Sequence, residues 1–268
     1  MAKHLALLVC LPFALSAQFN TTLSSKTTAA FESYLRTAEP RIDGHAHYSQ
    51  LKPGEVRVDP VRGDGSINIA DGIVHDWVAA TFVTGVKPQD VIAVLQNYPS
   101  YKSIYAPDVT ESRLLDHSGD HWRPQLRIVQ KKVLTVVLNT EYDVVYRDLN
   151  AGRWLVISRS TRIAEIDGDR ELPVGTGHGF LWRLNAYWVI EPRDGGVYLE
   201  CRSLSLSRDI PFGLGFVVSP FVSSLPPESL RATLEKTAWV LRSDVAARGE
   251  HPTVAQNKVD DRSKRNRE

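Results

Sequence analysis

Residues 180–191, with the sequence FLWRLNAYWVIE, show the sharpest alternation of apolar and polar side chains in this protein. In an extended strand, successive side chains point to opposite faces. One face here carries only apolar side chains: Phe180, Trp182, Leu184, Ala186, Trp188 and Ile190. The opposite face carries Arg183, Asn185 and Glu191. The pattern predicts a strand with one buried face, and therefore a sheet that covers an apolar layer.

Further strands are predicted on both sides of this stretch, because β-branched and aromatic residues dominate there. Their ranges are 73–83, 109–116, 122–129, 133–147, 154–166 and 197–207. Short turn sequences join most of them, at 117–120 (HSGD), 150–152 (NAG) and 193–196 (RDGG). Consecutive strands that are joined by tight turns predict a curved antiparallel meander.

Two short helices are predicted after the first strand, which Gly85 ends. Pro88 suits the first turn of a helix. An apolar stripe follows it: Val91, Ile92, Leu95 and Tyr98. Pro99 ends this helix, and residues 101–106 form the second one, before Pro107.

A long amphipathic helix closes the regular part of the chain. Its apolar residues recur at spacings of three or four: Leu230, Leu234, Ala238, Leu241 and Val245. Ser224 is its predicted N-cap, next to Pro226 and Pro227. Residues 212–222 are apolar and contain glycine, and we interpret them as a preceding helical turn joined at a bend.

A sheet with one apolar face has to bury that face, and the last helix is the long amphipathic partner available. The predicted fold class is therefore α+β, with a helix-grip architecture. A curved antiparallel sheet of about seven strands wraps around a long C-terminal helix, and two short helices follow the first strand. Such a sheet can leave a cavity between itself and the helix.

Two local stretches carry a resemblance to a known superfamily. One runs from Tyr98-Pro99-Ser100-Tyr101 through residues 109–115 (VTESRLL), and the other from Gly213 through residues 226–230 (PPESL). Together with the order of elements over 72–248, they resemble the START-like or SRPBCC superfamily, which includes birch-pollen-allergen-like proteins, polyketide cyclases and coenzyme-Q-binding START proteins. The resemblance implies a lipid, quinone or polyketide-like ligand. The superfamily has no universal catalytic motif, so the resemblance supports the fold more strongly than a function.

The first 17 residues, MAKHLALLVCLPFALSA, have the pattern of a signal peptide. Lys3 and His4 form a basic start, residues 5–15 an apolar run and residues 15–17 a small-residue cleavage site. The predicted location is thus secreted or periplasmic; the alternative is a buried first helix of a cytosolic protein. Cleavage would remove Cys10 and leave Cys201, which we interpret as a small buried apolar residue.

Four regions follow from this reading: the signal peptide (1–17), an irregular N-terminal arm with a short helix over 27–38 (18–71), the START-like helix-grip domain (72–248) and a charged disordered tail (249–268). Basic and acidic residues number 32 and 31, which gives no electrostatic reason to expect nucleic acid as a partner. The apolar run near the start is too short for a permanent membrane span.

Eight residues are candidate ligand contacts: Trp182, Trp188, Tyr142, Glu141, Arg162, His178, Ser203 and Ser205. The tryptophans serve equally well as core residues. The serines line a cavity only if Leu204 and Leu206 face outwards. For Glu141 and Arg162, together with Asp143 and Arg159, cross-strand ion pairs on the solvent face are the favoured explanation.

Other motifs give no assigned site. His45 and His47 form a His-x-His pair, which can bind a divalent metal, but the chain lacks the alternating β-α pattern of the barrel that usually supplies the further ligands. Residues 175–179 (GTGHG) precede a strand rather than a helix, which favours a flexible loop over a phosphate cradle. A Gly-x-Ser-x-Gly elbow does not occur. No metal, cofactor or catalytic residue is therefore predicted.

The sequence thus predicts an exported, non-catalytic protein that holds a hydrophobic or amphipathic small molecule or lipid in an internal cavity. The alternative is a cyclase- or hydrolase-type enzyme that uses the same cavity, with His178, Glu141 or Asp143 as acid or base. A third hypothesis is an interaction module in which the arm and the basic tail dock a partner.

Overall fold

The computed structural model describes residues 20–42, 51–132, 134–193, 195–210, 213 and 215–248. Its elements, in chain order, are β1 (Thr21–Thr22), α1 (Ser25–Ala38), β2 (Val56–Pro60), β3 (Ser66–Ile69), β4 (Gly72–Thr84), α2 (Pro88–Gln96), α3 (Tyr101–Ile104), β5 (Val109–Ser118), β6 (His121–Lys131), β7 (Thr135–Asp148), β8 (Trp154–Asp167), β9 (Arg170–Glu171), β10 (Thr176–Gly177), β11 (Arg183–Arg193), β12 (Gly196–Arg208), α4 (Gly215–Ser219) and α5 (Leu225–Ala247). Short 3₁₀ turns cover Glu39–Arg41 and Tyr98–Ser100, and one turn of π-helix covers Pro220–Ser224.

One large antiparallel sheet organises the described residues. Ten strands belong to it, in the order β2-β4-β12-β11-β8-β7-β6-β5, with β3 also paired to β4 and β9 to β8. The seven long strands β4, β5, β6, β7, β8, β11 and β12 are those predicted from the sequence, and they pair as the predicted antiparallel meander. The three additional strands are short.

The predicted pair of short helices lies between β4 and β5. Gly85 turns the chain after β4 with a φ of 72°. Pro88 opens α2, and the Asp90 carboxylate accepts the Lys87 N–H at 2.8 Å, which satisfies one of the unpaired donors at the helix start. Val91 and Leu95 anchor α2 in the core.

The long helix α5 lies in the grip of the sheet, as predicted. Leu234, Ala238 and Leu241 are fully buried, and the helix packs mainly on β4, β2 and β12. It stands away from β6, β7 and β8, so a hollow remains on that side. Ser224 lies at the predicted N-cap position of α5, but its side chain does not cap the helix. A π-helical turn precedes α5, and the Ser224 hydroxyl donates to the Pro220 carbonyl at 3.0 Å.

The N-terminal arm is more ordered than the sequence predicted. The helix expected over 27–38 is α1, and the Ser24 hydroxyl caps it by accepting the Thr27 N–H at 3.0 Å. The irregular stretch expected after it contains β2 and β3, which both pair with the outer edge of β4. Strands as short as β2 and β3 show no periodicity of their own, but the free edge of β4 supplies the hydrogen bonds that order them. Residues 43–50, with His45 and His47, lie outside the described part.

Helix α1 covers the convex face of the sheet. Phe31 packs against Val74, Trp182 and Leu206. A polar anchor accompanies this apolar contact, built on Asp76, which is 0% exposed. Arg202 forms two hydrogen bonds with the Asp76 carboxylate, at 2.8 and 2.6 Å, and the hydroxyl of Tyr34 on α1 donates to the same carboxylate at 2.7 Å. Both faces of the central strands are therefore buried, by α5 inside and by α1 outside. The predicted signal peptide and tail fall outside the described residues and stay predictions.

Candidate functional site

A cavity of about 520 Å³ lies between α5 and the concave face of the sheet. Strands β6, β7, β8, β11 and β12 form its floor and far wall, α2 and α3 close one end, and α5 forms the near wall. Most of the lining is apolar: Leu95, Val109, Leu126, Ile128, Val144, Val156, Leu181, Leu184, Ala186, Trp188, Leu225 and Leu230 are among the residues that face it. A volume of this size suits a ligand of roughly drug-like dimensions.

Three serine hydroxyls form a polar patch on the cavity floor. Ser158 on β8 and Ser203 on β12 both lie opposite Ala186 on β11, and Ser205 lies opposite Leu184. Neighbouring strands are about 4.8 Å apart, so Ser158 and Ser203 lie roughly 10 Å from each other with the small side chain of Ala186 between them. Within the described residues, none of these hydroxyls has a hydrogen-bond partner in the protein. They are thus available to a ligand.

Tyrosines line the end of the cavity near α2 and α3, and most of their hydroxyls are already satisfied. The Tyr146 hydroxyl donates to the Leu95 carbonyl at 2.8 Å and accepts from Tyr98 at 2.7 Å. The Tyr101 hydroxyl also donates to the Leu95 carbonyl, at 2.6 Å. Tyr105 lies 3.0 Å from the Thr237 hydroxyl. These residues therefore present the faces and edges of their rings to a ligand rather than free hydroxyls.

Burial keeps the tyrosine hydroxyls and the cysteine thiol in the cavity interior protonated. It raises the pKa of Tyr105 and of Tyr142 to about 12 and raises the pKa of the Cys201 thiol. These hydroxyls and this thiol are protonated at neutral pH. Without ionised forms, they provide neither a base nor a nucleophile near pH 7.

The charged residues of the lining all lie at the mouth, where α5 faces the ends of β5 and β6. They are Asp108, Lys131, Lys132, Glu228 and Lys236. Two ion pairs cross this gap: Lys132 contacts Glu228, and the Lys236 ammonium lies 2.6 Å from Asp108. These two ion pairs connect α5 with the residue after β6 and with the residue before β5.

Four of the eight residues predicted as ligand contacts line this cavity: Tyr142, Trp188, Ser203 and Ser205. The alternating face of β11 predicts Leu184, Ala186 and Trp188 correctly as inward-facing. Leu204 and Leu206 point to the convex face, where they pack under α1. The serines of β12 consequently face inwards, and Ser207 at the end of the same row lies 2.8 Å from His75 Nε2.

Trp182 does not line the cavity, although it belongs to the predicted inward face. It packs on the convex side with Phe31, Val74 and Leu206. The strand begins only at Arg183, and Gly179 just before it has a φ of 70°, so the alternation does not extend back to Trp182. The backbone before a strand sets side-chain directions by its own turn geometry rather than by the period of two.

Glu141 and Arg162 are not in the cavity lining either. They lie opposite each other on β7 and β8, with Arg162 Nη1 3.9 Å from Glu141 Oε1, and Arg162 also contacts Glu171. Asp143 lies 3.7 Å from His121, and Arg159 lies 3.0 Å from Glu39. The Glu141–Arg162 pair is therefore a cross-strand ion pair of the kind that the sequence favoured, whereas Asp143 and Arg159 have other partners than the expected ones.

His178 lies away from the cavity, in the glycine-containing loop before β11. The buried carboxylate of Glu165 accepts hydrogen bonds from the backbone N–H groups of His178 and Gly179, at 2.7 and 2.8 Å, and lies 2.8 Å from His178 Nδ1. The sequence favoured a flexible loop here, but its backbone N–H groups instead bind a carboxylate of the protein itself. It is therefore a structural contact that fixes the loop on β8.

The sequence did not indicate Ser158, the cavity-lining tyrosines Tyr98, Tyr101, Tyr105 and Tyr146, or the charged mouth as parts of the site. The signal for Ser158 was weak, since it lies in the polar run SRSTR that interrupts the apolar pattern of β8. The mouth had no local signal, because Lys132 and Glu228 are 96 positions apart. Within the described chain, no group of three His, Cys, Asp or Glu side chains is placed to hold a metal ion. Among the described helices, none has the length and hydrophobicity that a membrane crossing requires.

Comparison with known proteins gives similarity at the level of solved structures. No family model matches the chain, and no curated protein matches it. The chain is similar to a STAR-related lipid transfer protein from Xanthomonas axonopodis (18% identity, 66% of this chain and 97% of that chain, TM-score 0.45). It is also similar to the human StarD13 lipid transfer and protein localization domain (10% identity, 82% and 98%, TM-score 0.46) and to the di-domain ARO/CYC StfQ from the steffimycin biosynthetic pathway (14% identity, 65% and 52%, TM-score 0.46). The strand order and the gripped C-terminal helix described above form the helix-grip α+β fold that the sequence predicted.

Proposed function

We propose that this protein binds a hydrophobic or amphipathic small molecule in the cavity between α5 and the sheet, without catalysing a reaction on it. The observation that carries the proposal is the cavity itself. Its walls are apolar, and the serine hydroxyls on its floor face the hollow without a protein partner among the described residues. Burial of an apolar ligand contributes roughly 25 cal/mol for each Å² removed from water, before the costs of association.

The absence of an acid or base from the described interior supports a non-catalytic role. The three residues considered for this purpose, His178, Glu141 and Asp143, do not line the cavity. The charged residues that do line it are confined to the mouth and paired across it, Lys131 excepted. An enzyme of the cyclase or hydrolase kind would need such a group near the bound molecule, so this alternative has no specific support.

Extraction of the purified protein with organic solvent, followed by mass spectrometry, tests the proposal. We expect a molecule of consistent mass in stoichiometric amounts. Ala186→Phe places a large ring on the cavity floor and should abolish the co-purification, whereas Ala246→Phe, on an exposed turn of α5, should not change it. Circular dichroism and thermal melting confirm that both variants fold. An empty wild-type protein that also takes up no added apolar dye, or equal loading of the Ala186→Phe variant, would contradict the proposal.

We further propose that the protein is exported, on the basis of the pattern in residues 1–17 alone. Expression of the full chain in a Gram-negative host, with fractionation and N-terminal sequencing of the product, tests this. We expect a mature N-terminus close to Gln18 in the periplasmic or extracellular fraction. A product that retains Met1 and stays in the cytosolic fraction would exclude export in that host.

A further inference from the structure

The charged rim of the cavity mouth is unevenly distributed. At one end, Lys131 and Lys132 follow each other at the end of β6 and face a single carboxylate, that of Glu228. At the other end, Lys236 and Asp108 form a balanced pair. Glu228 and Lys236 are eight residues apart on α5, which corresponds to about 12 Å along the helix. The first end therefore has one positive charge in excess, and the second has none.

The two paired lysines of the rim are less exposed than the carboxylates that pair with them, whereas Lys131 is exposed. The side chains of Lys132 and Lys236 are 21% and 27% exposed, against 57% and 55% for Glu228 and Asp108. The Lys131 ammonium has no carboxylate within 4 Å among the described residues. A negative group that enters from the cavity can approach these ammonium groups without passing the carboxylates, which lie on the solvent side.

Gln130 adds an independent observation at the same end. Gln130 lines the cavity, and its side-chain oxygen is buried without a hydrogen-bond partner among the described residues. A buried polar atom without a partner costs roughly 1–3 kcal/mol, so a bound group that satisfies it is favoured. Because a carboxamide can present its NH₂ group in place of its oxygen, Gln130 can donate to an acidic head beside Lys131 and Lys132.

We propose that the ligand is an amphipathic anion with a single apolar body and one acidic head, a carboxylate or a phosphate, which is bound by Lys132 with Lys131 and Gln130 beside it. The inference rests on the proposed function and specifies its ligand. A cavity of 520 Å³ lies within the size range of sites that hold one small molecule, so one chain of about sixteen carbons or a compact ring system fits.

The experiment compares matched ligands that differ only in the head. Hexadecanoate, hexadecyl phosphate and uncharged 1-hexadecanol compete, below their micellar concentrations, with the neutral dye N-phenyl-1-naphthylamine for the wild-type protein. At least one of the acidic ligands should bind about tenfold or more tightly than the alcohol, because a charge-assisted hydrogen bond in a partly buried site contributes that much. The acidic ligand that binds more tightly identifies the head group as a carboxylate or a phosphate.

Variants at the mouth separate recognition of the head from closure of the cavity. Lys132→Gln should weaken the preferred acidic ligand about tenfold and change the alcohol less than twofold. Glu228→Gln should strengthen the acidic ligand alone, because it removes the competing carboxylate. The double variant Asp108→Asn with Lys236→Gln removes the balanced pair without changing the net charge, and should leave the preference for the acidic ligand intact.

The outcomes distinguish this inference from the proposed function. If the dye and all three ligands fail to bind, the proposed function fails. If the dye binds but the alcohol competes as well as both acids, the cavity is a binding site and the acidic head is wrong. Equal weakening of acid and alcohol by Lys132→Gln would also overturn the inference, since it would mean that the Lys132–Glu228 pair only holds the mouth closed.

Discussion

The stability of this protein should depend on pH through His75, a buried histidine of β4. Its side chain is 2% exposed, and its Nε2 lies 2.8 Å from the hydroxyl of Ser207 on β12. That hydroxyl donates to the Arg208 carbonyl at 3.1 Å, so Nε2 carries the proton and donates to Ser207. Nδ1 is buried and has no partner among the described residues. A second proton on this ring would be buried without an acceptor, and burial accordingly lowers the pKa of His75 from 6.5 to about 4.

The size and sign of this change in stability follow from the difference between the pKa of His75 in the folded protein and in the unfolded chain. The folded protein prefers neutral His75 and the unfolded chain titrates at about 6.5, so the stabilisation is fully present above pH 6.5. It is lost as the pH falls from about 6.5 towards about 4. A shift of about 2.5 units corresponds to about 3 kcal/mol in total, of which about 2 kcal/mol is lost between about pH 7.5 and about pH 5.

Urea denaturation at these two pH values measures the loss. His75→Gln should be less stable than wild type at the higher pH but should lack most of the further loss at the lower pH. His117→Gln removes an exposed histidine from the β5–β6 hairpin and should retain the wild-type difference. Carboxylates such as Glu39, whose pKa lies below 4.5, lose their contribution only at lower pH. If His75→Gln loses as much stability as wild type between the two pH values, the account of His75 is refuted.

Two further variants test the buried contacts that hold α1 and the loop before β11 on the sheet. Asp76→Asn should destabilise the protein by about 3 kcal/mol or more in urea denaturation at neutral pH, because it leaves the buried Arg202 guanidinium without its carboxylate; a loss below about 1 kcal/mol would show that this pair is not a significant anchor. Gly177→Ala should cost about 2 kcal/mol, because Gly177 has a φ of 109° and a Cβ there would lie 2.5 Å from Glu165 Oε2. Gly119→Ala, at a φ of 60° with open space around it, is the matched control and should cost about 1 kcal/mol; equal losses at the two glycines would contradict the close packing of the loop on Glu165.

The elements that the sequence predicted well are those with strong local patterns. The alternation in β11 and the spacing of three or four residues in α5 both arise between residues that are close together in the sequence. Turn sequences with Gly, Asn and Asp joined the strands in the correct order. Tyr142, Trp188, Ser203 and Ser205 reached the cavity because their strands follow this simple period through the sheet.

The errors occurred where tertiary contacts override the local pattern. Trp182 lies one residue before its strand and turns to the convex face to pack under α1. The arm was expected to be irregular, yet β2 and β3 are ordered by the edge of β4. Ser224 was expected to cap a helix that in fact continues from the π-helical turn before it. In each case a neighbour distant in sequence, or the preceding turn, decides the conformation.

The antiparallel meander and the gripped helix could be predicted from local patterns, because side-chain periodicity and turn chemistry act between residues that are close in sequence. Three features emerge only in the folded molecule: the hollow beside α5, the floor with Ser158 and Ser203 on either side of Ala186, and the mouth where Lys132 contacts Glu228. Enclosed space and charge pairing depend on the curvature of the whole sheet and on the distance at which the helix packs. These quantities arise only when distant residues meet.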